Sequence, residues 1–293
     1  EQKVPVPLAP PSLLLVGDVD YGGDPGVLLA SDRGGRAVRD GESKWIPLPG
    51  TRGEIDAIRD SFEQRISDGK IKQLRQRQAT SEAVREAAPS YRYLHFATHG
   101  FFADPKIRSA LAPSDKPESN MDRGAMLQQA TGEHPGLLSG IVLTGANQSP
   151  VEGKGDGILT ALEVGELDLS GVDLATLSAC ESGLGKTAGG EGVLGLQRAF
   201  QTAGARTTVT SLWKIPDDAT RSLMIDFYEN LWTKKMSKIE ALRQAQLALM
   251  RKGVDTRAGA KRGLEFKADQ PPDADHRLPP YYWAAFVLSG DWR

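Results

Sequence analysis

Cys180 is the only cysteine in the sequence, and it follows an apolar segment, 172–179 (VDLATLSA). Because this segment is short and does not alternate with polar residues, it predicts a strand that is buried on both faces of a parallel sheet. Ser182 and Gly183 beyond the cysteine would allow a sharp turn. We therefore expect the sulfur to lie at the carboxyl edge of the sheet, where open α/β sheets bind their ligands.

A second predicted strand, Tyr91–Thr98, ends at His99 and Gly100. An imidazole beside a thiol can take its proton or stabilise the thiolate, which is the nucleophile. Such a pair performs acyl transfer, with the imidazole acting first as a base and then as an acid to the departing amine. The backbone N–H groups of Gly100 and Cys180 are suited to stabilise the oxyanion of the tetrahedral intermediate, since glycine brings no Cβ against the substrate.

Less reactive roles compete with this interpretation. A lone cysteine at a strand end is by default a small buried apolar residue. His95 is the main rival to His99, because the two-residue period of a strand places both on one face. His95 lies in the middle of the strand, which favours a hydrogen-bonded core residue. His134 and His276 lie in irregular segments and are predicted to be surface residues.

Strands alternate with helices along the whole chain. The segment Ser12–Gly17 predicts a buried first strand that feeds a glycine-rich loop, and Glu54–Ile66 predicts a helix. The other predicted strands are 71–78, 138–144, 207–213 and 282–288, and the other predicted helices are 80–87 with Thr80 as the N-cap, 159–167, 193–203 closed by Gly204, 219–231 and 238–250. This alternation predicts an α/β fold with a mainly parallel sheet that is covered on both faces.

The composition excludes several classes of protein. The net charge of −2 comes from interspersed acidic and basic residues, so there is no basic face for nucleic acid and no polybasic membrane anchor. No apolar run approaches the roughly 20 residues that span a bilayer, which favours a cytoplasmic protein. One cysteine excludes an internal disulfide and argues against a structural zinc site. We therefore expect no metal and no cofactor.

The start of the chain differs from the rest. It begins with Glu1 and continues into a proline-rich segment, VPVPLAPP. We interpret residues 1–12 as a linker or tail and residues 13–293 as one domain, which we expect to be the C-terminal part of a longer protein.

Several longer segments together resemble the CHAT domain family, which consists of caspase-like proteins often joined to tetratricopeptide repeats. In chain order these segments are YLHFATHG, LSGIVLTGAN, LSACESGLG, GEGVLGLQRAFQTAGARTTVTSLW, FYENLW, ALRQAQLAL and YYWAAFVLSGD. The resemblance implies a caspase–haemoglobinase-like three-layer α/β/α fold and, where the dyad is intact, a cysteine endopeptidase. Both dyad positions match, at His99 and Cys180, and the oxyanion donors of the family map to Gly100 and Cys180. Related domains serve bacterial defence or regulated cell death.

Acidic residues follow two of the predicted strands. Asp18 and Asp20 follow the first strand, where their default role is to form a turn with the glycines, and Asp217 and Asp218 precede a helix that either could N-cap. In caspase-like enzymes, substrate-pocket residues lie after the strand that corresponds to the predicted strand ending at Trp213. We therefore hypothesise that the four carboxylates and Trp213 form a pocket that favours a basic or uncharged residue before the cut.

The resemblance also bears on regulation and partners. Caspases are commonly matured by cutting a long linker after the cysteine-bearing half, but Cys180 and the strand at Thr207 are separated only by a glycine-rich loop and one helix. We expect an intact chain that binds protein or peptide substrates, with the loops 102–137 and 183–191 ordered by an activator protein or a regulatory repeat region. The alternatives are a non-catalytic scaffold module and a hydrolase of small molecules that uses the thiol.

Overall fold

The computed structural model describes residues 10–22, 36–39, 42–102, 135–148, 156–178, 191–213, 215–252 and 277–293. The strands are β1 Ser12–Val19, β2 Arg36–Arg39, β3 Glu42–Trp45, β4 Lys70–Gln76, β5 Tyr93–Ala97, β6 Gly100–Phe102, β7 Ser139–Val142, β8 Ile158–Thr160, β9 Leu174–Leu177, β10 Thr207–Ser211 and β11 Phe286–Gly290. The α-helices are α1 Pro49–Arg65, α2 Ser81–Ala87, α3 Ala161–Gly165, α4 Glu191–Thr202, α5 Asp217–Tyr228, α6 Lys238–Lys252 and α7 Pro280–Trp283; a π-helical turn, Glu229–Thr233, follows α5.

Six strands form the main sheet in the order β11-β10-β9-β5-β1-β4. All neighbouring pairs are parallel except β10 and β11. The prediction of a mainly parallel sheet is therefore confirmed. The order makes β9, β5 and β1 consecutive neighbours, so the chain leaves these three strands side by side at the carboxyl edge.

Apolar residues fill both faces of the main sheet. Along β1, Leu14 and Val16 contribute to one buried cluster, the first core, which α2, α3 and α4 cover. Leu13 and Leu15 contribute to the second core, which α1, α5 and α6 cover on the other face. Because both faces are buried, the strands read as continuous apolar runs rather than as alternating ones. The result is the three-layer α/β/α arrangement that the resemblance implies.

Local sequence signals mark the helix ends as predicted. Thr80 is the N-cap of α2, and its side chain accepts a hydrogen bond from Ala83 N. Beyond α4, Gly204 has a φ of +113°, a conformation that glycine adopts without strain. Both predictions are confirmed.

Two predicted strands take a different form. The segment at 138–144 contains β7, but β7 pairs with β6 and β8 in a separate antiparallel sheet of three strands. The segment at 282–288 begins within α7, because Pro279 and Pro280 favour a helix start there. Its second half forms β11, which lies antiparallel at the edge of the main sheet.

Several predictions concern residues outside the described ranges. They include Cys180, His134 and His276, the first part of the tail, and most of the loops 102–137 and 183–191.

Candidate active site

The site is built where β1, β5 and β9 end. Phe96 of β5 is in register with Val16 of β1 and with Leu177 of β9. Ser178 follows β9, and its N–H donates to the Phe96 carbonyl. The main chain therefore leaves β5 toward His99 and β9 toward Cys180 from the same level of the sheet.

His99 lies at this edge with only 1% of its surface exposed. Its Nε2 is 2.8 Å from the main-chain carbonyl of Ile46. A carbonyl oxygen can only accept, so Nε2 carries a proton in this bond. In a neutral ring with that tautomer, Nδ1 is the nitrogen that accepts a proton. The carbonyl of Ile46 thus fixes which ring nitrogen can act as a base.

Two aromatic rings flank the imidazole. The ring centroids of Tyr21 and Trp45 lie 5.1 and 5.2 Å from that of His99. Thr98 Oγ1 donates to the Val142 carbonyl, so in the 2.8 Å contact between Tyr21 and Thr98 the tyrosine hydroxyl is the donor. The contacts with the Tyr21 and Trp45 rings thus hold the imidazole together with the hydrogen bond from its Nε2 to the Ile46 carbonyl.

Asn147 fixes the segment that carries Trp45. Its Oδ1 accepts from Trp45 N at 2.7 Å, and its Nδ2 donates to Trp45 O at 2.8 Å. The N–H of Asn147 donates to Tyr21 O at 2.9 Å. Nothing in the sequence singles out Tyr21, Trp45 or Ile46. For Asn147, the one signal is its position at the end of the segment LSGIVLTGAN.

Gly100 begins β6 directly after His99. Val142 N donates to His99 O at 2.9 Å, and Gly100 is opposite Ile141 in the next pair of the ladder. Because hydrogen-bonded and non-hydrogen-bonded pairs alternate in an antiparallel ladder, the N–H of Gly100 points away from β7. Since β6 is an edge strand of its sheet, this direction suits the predicted oxyanion donor.

A buried polar network supports the end of β9. Glu54 of α1 is 3% exposed, and its Oε1 accepts a 2.6 Å hydrogen bond from Ser178 Oγ. The same oxygen is 3.0 Å from Nε2 of His95, which is fully buried. On its other side, His95 Nδ1 lies 3.0 Å from the hydroxyl of Tyr228, which donates to Thr176. The prediction that His95 is a hydrogen-bonded core residue is confirmed.

His95 and His99 lie in different surroundings, although a continuous two-residue strand period would place both on one face. His95 contacts Tyr228 of the second core, whereas His99 contacts Tyr21 and Trp45 of the first. The reason is that β5 ends at Ala97, so the two-residue alternation stops before His99.

Two buried tyrosines make the fold sensitive to alkaline pH. Burial raises the pKa of Tyr228 and of Tyr93. A raised pKa means that the neutral phenol is favoured in the folded state, so its stabilisation is complete below the unfolded pKa of about 10 and is lost as the pH rises. We expect the free energy of unfolding to fall above about pH 10, by up to ~1.4 kcal/mol per pH unit for each tyrosine.

Urea unfolding measured between neutral and strongly alkaline pH tests this expectation. Tyr228→Phe should be less stable at neutral pH because two hydrogen bonds are lost, yet its stability should fall less steeply with pH. Tyr281→Phe is the matched control, since Tyr281 is 49% exposed. A slope in Tyr228→Phe equal to that of the wild type would contradict the assignment.

The acidic residues after β1 have partners of their own. Asp18 has a φ of +52°, its N–H donates to Thr51 Oγ1, and its carboxylate lies 3.6 Å from Arg75. Asp20 accepts from Gly22 N, which confirms its predicted role in the turn, and lies 3.2 Å from Arg77. Arg75 also donates to the carboxylate of Asp56 in α1, and this hydrogen bond lowers the pKa of Asp56.

The predicted residues after β10 are spread over different surroundings. Trp213 is half-buried against the second core, and its Nε1 donates to Tyr281 O. Asp217 Oδ2 accepts from Gly50 N, in the first turn of α1. Asp218 is exposed and lies 3.5 Å from Arg221.

The predicted N-cap role of Asp217 and Asp218 is wrong. The N-cap of α5 is Pro216, and no side chain caps it. Asp217 instead places its carboxylate at the N-terminus of α1, a helix with no side-chain cap and no acidic residue in its own first turn. A carboxylate at that end is favourable because it meets unpaired N–H groups and the positive end of the helix dipole.

The first turn of α1 connects several of these features. Gly50 N donates a hydrogen bond to Asp217, and Thr51 Oγ1 accepts one from the main-chain N–H of Asp18. One turn further on, Glu54 accepts a hydrogen bond from Ser178. The N-terminal part of α1 therefore lies among the ends of β1 and β9 and the start of α5. It brings two of the predicted pocket residues, Asp18 and Asp217, around one helix end.

Within the described ranges, no group of three or more His, Cys, Asp or Glu side chains is placed to hold a metal ion. None of the helices described there has both the length and the apolar character to cross a bilayer.

Comparison with known proteins identifies relatives of this chain. A family model described as the CHAT domain matches residues 5–291. The chain is also similar to tetratricopeptide repeat protein 28 of Homo sapiens, with 27% identity, and of Mus musculus, with 31% identity, over 193 residues in each case. Each alignment covers 64% of this chain but 7% of the relative, so the chain spans a small part of the length of these relatives.

Proposed function

Because the chain belongs to the CHAT domain family, a caspase-like family, we propose that it is a cysteine endopeptidase that cleaves proteins with His99 and Cys180. The observation that carries the proposal is the hydrogen bond from His99 Nε2 to the Ile46 carbonyl. It orients the imidazole at a strand end and reserves Nδ1 for accepting a proton.

Chain connectivity supports the pairing of the two residues. β5, which leads to His99, pairs directly with β9, which leads to Cys180. Cys180 is two residues beyond Ser178, and an extended chain covers at most about 7 Å in that distance. Ser178 is itself anchored to Phe96 and Glu54, so the cysteine starts from a fixed point near the end of β5.

The proposed reaction is a two-step acyl transfer. His99 Nδ1 takes the thiol proton, and the sulfur attacks the substrate carbonyl carbon to form a C–S bond, while the N–H groups of Gly100 and Cys180 donate to the oxyanion. The imidazolium then gives its proton to the leaving amine as the C–N bond breaks. A water molecule that His99 deprotonates hydrolyses the thioester, and the thiol is restored. No metal or organic cofactor takes part.

For the substrate pocket, we propose a preference for a basic or uncharged residue before the cut. The support is that Asp18 and Asp217 both contact the first turn of α1, next to the strand ends. Asp20, Asp218 and Trp213 complete the proposed pocket. Three of the four carboxylates lie near arginines, and the proposal requires that their charge still repels an acidic side chain and attracts a basic one.

For regulation, we propose that the intact chain acts in the cytoplasm and is activated by a partner or by a repeat region. The support is the low exposure of His99 and the repeats in the names of the curated relatives. Activity that appears only after the chain cuts itself on the carboxyl side of Cys180 would contradict this scheme.

One experiment tests both the activity and the pocket. Wild-type and Cys180→Ala proteins are incubated with a proteome, and new peptide ends are identified by mass spectrometry. We expect cut sites that only the wild type produces, with basic or uncharged residues before the cut. A strict preference for aspartate would contradict the pocket. The absence of specific cuts, together with iodoacetamide labelling of Cys180 no faster than that of free cysteine, would contradict the peptidase.

The alternative function is a scaffold module that retains the fold without cutting. The observation in its favour is that His99 is only 1% exposed and contacts Tyr21, Trp45 and the Ile46 carbonyl. The labelling experiment separates the two functions, because a scaffold has no reason to activate the thiol, and His99→Ala would then leave the labelling rate unchanged.

A further inference from the structure

We propose that Asn147 is a positioning residue for His99. Its side-chain amide makes two hydrogen bonds with the main chain of Trp45: Oδ1 accepts from the N–H, and Nδ2 donates to the carbonyl. Its own N–H donates to Tyr21 O. One residue thus connects two chain segments, and each of them carries an aromatic ring that contacts the imidazole.

The chemistry of the partners fixes the orientation of the Asn147 amide. A main-chain N–H can only donate and a main-chain carbonyl can only accept, so Oδ1 must face the N–H of Trp45 and Nδ2 its carbonyl. The side chain in this way supplies the pair of hydrogen bonds that a neighbouring strand would otherwise make. An aspartate of the same shape cannot do so, because it has no donor for the carbonyl of Trp45.

The segment that Asn147 holds is the one that orients His99. Ile46 directly follows Trp45, and its carbonyl accepts from His99 Nε2. β2 and β3 form a two-stranded sheet of their own, separate from the main sheet. The ladder of the main sheet therefore does not fix Trp45 and Ile46, and the Asn147 side chain contributes that link to the turn after β7.

Loss of the link is expected to release the Ile46 carbonyl from its place. The imidazole would then lose the group that selects its Nε2–H tautomer, and Nδ1 would carry the proton in part of the molecules. A misplacement of about 1 Å can cost a hundredfold in rate. The effect on catalysis rests on the proposed function of His99, whereas the effect on the tautomer does not.

The test uses Asn147→Ala and Asn147→Asp in the full chain, with Gln246→Ala as the matched control. Gln246 also donates from a side-chain amide to a main-chain carbonyl, that of Phe286, but in β11 at the far edge of the main sheet. NMR of ¹⁵N-labelled histidine reports which ring nitrogen of His99 is protonated, and kinetics report the pH profile of kcat/KM.

We expect His99 in the wild type and in Gln246→Ala to be protonated at Nε2 when neutral. Both Asn147 variants should give a mixture of tautomers, a shifted pH profile, and a kcat/KM reduced by about tenfold to a hundredfold, mainly through kcat. If Asn147→Ala does not fold, Asn147→Asp decides, since it keeps the shape and the acceptor.

An unchanged tautomer and an unchanged pH profile in a folded variant would overturn the proposal, even if that variant were less stable. A changed tautomer in a chain whose wild type neither activates Cys180 nor cleaves peptides would confirm the role of Asn147 and contradict the proposed peptidase. The two proposals can therefore fail separately.

Discussion

Replacement of His99 by alanine is expected to lower kcat/KM for peptide cleavage by about a hundredfold to ten-thousandfold, the usual contribution of a general acid–base residue. The loss should fall on kcat rather than KM, because the imidazole transfers protons in the transition state and is not proposed to bind the substrate. Cys180→Ala should reduce the rate further, since it removes the nucleophile itself. Steady-state kinetics with a peptide identified from the proteome measure both effects.

The control for this prediction is His134→Ala, which removes a histidine that the sequence places in an irregular segment. It should leave kcat/KM unchanged. Thermal unfolding of His99→Ala must accompany the kinetics, because His99 also packs between Tyr21 and Trp45. A folded His99→Ala protein with the wild-type rate would show that His99 is not the base.

Replacement of Glu54 is expected to have the largest effect on stability. In Glu54→Ala, the fully buried His95 and the partly exposed Ser178 both lose their bond to Oε1. A buried polar group that loses its partner costs about 1–3 kcal/mol, so the loss at His95 alone should lower the free energy of unfolding by about 1–3 kcal/mol, and the partly exposed Ser178 should add less. The end of β9 should also loosen, which would slow the labelling of Cys180 by iodoacetamide. Urea unfolding and labelling rates measure the two effects.

Glu54→Gln separates the hydrogen bonds from the charge. Both bonds meet the same oxygen of Glu54, and an amide oxygen can accept them, so glutamine should restore much of the stability and of the labelling rate. Glu63→Ala removes an exposed acid from the same helix and should change the stability by no more than about 0.5 kcal/mol. Equal losses in Glu54→Ala and Glu63→Ala would contradict the role of the network.

Those parts of the fold that depend on local chemistry could be predicted from the sequence. The runs at β1, β5 and β9 are apolar because both faces of the main sheet are buried, and the cap at Thr80 lies within three residues of its partner. The core role of His95 followed from its position in the middle of a strand. Neighbouring parallel strands then placed His99 at the edge where the chain leaves toward Cys180.

The rest of the site could not be predicted, because it depends on contacts between distant segments. Asn147 and Trp45 are 102 residues apart in the chain, and Asp217 and Gly50 are 167 apart. The N-cap prediction for Asp217 failed for the same reason, since its carboxylate serves the start of another helix. The group that accepts from His99 is a main-chain carbonyl, and every residue type has one, so Ile46 leaves no trace in the sequence.

That last feature limits what alanine scanning can reveal. Exchanging the side chain at position 46 keeps the peptide oxygen, so the group that accepts from His99 Nε2 would escape any such survey. Its influence becomes visible only through the residues that hold the peptide group in place.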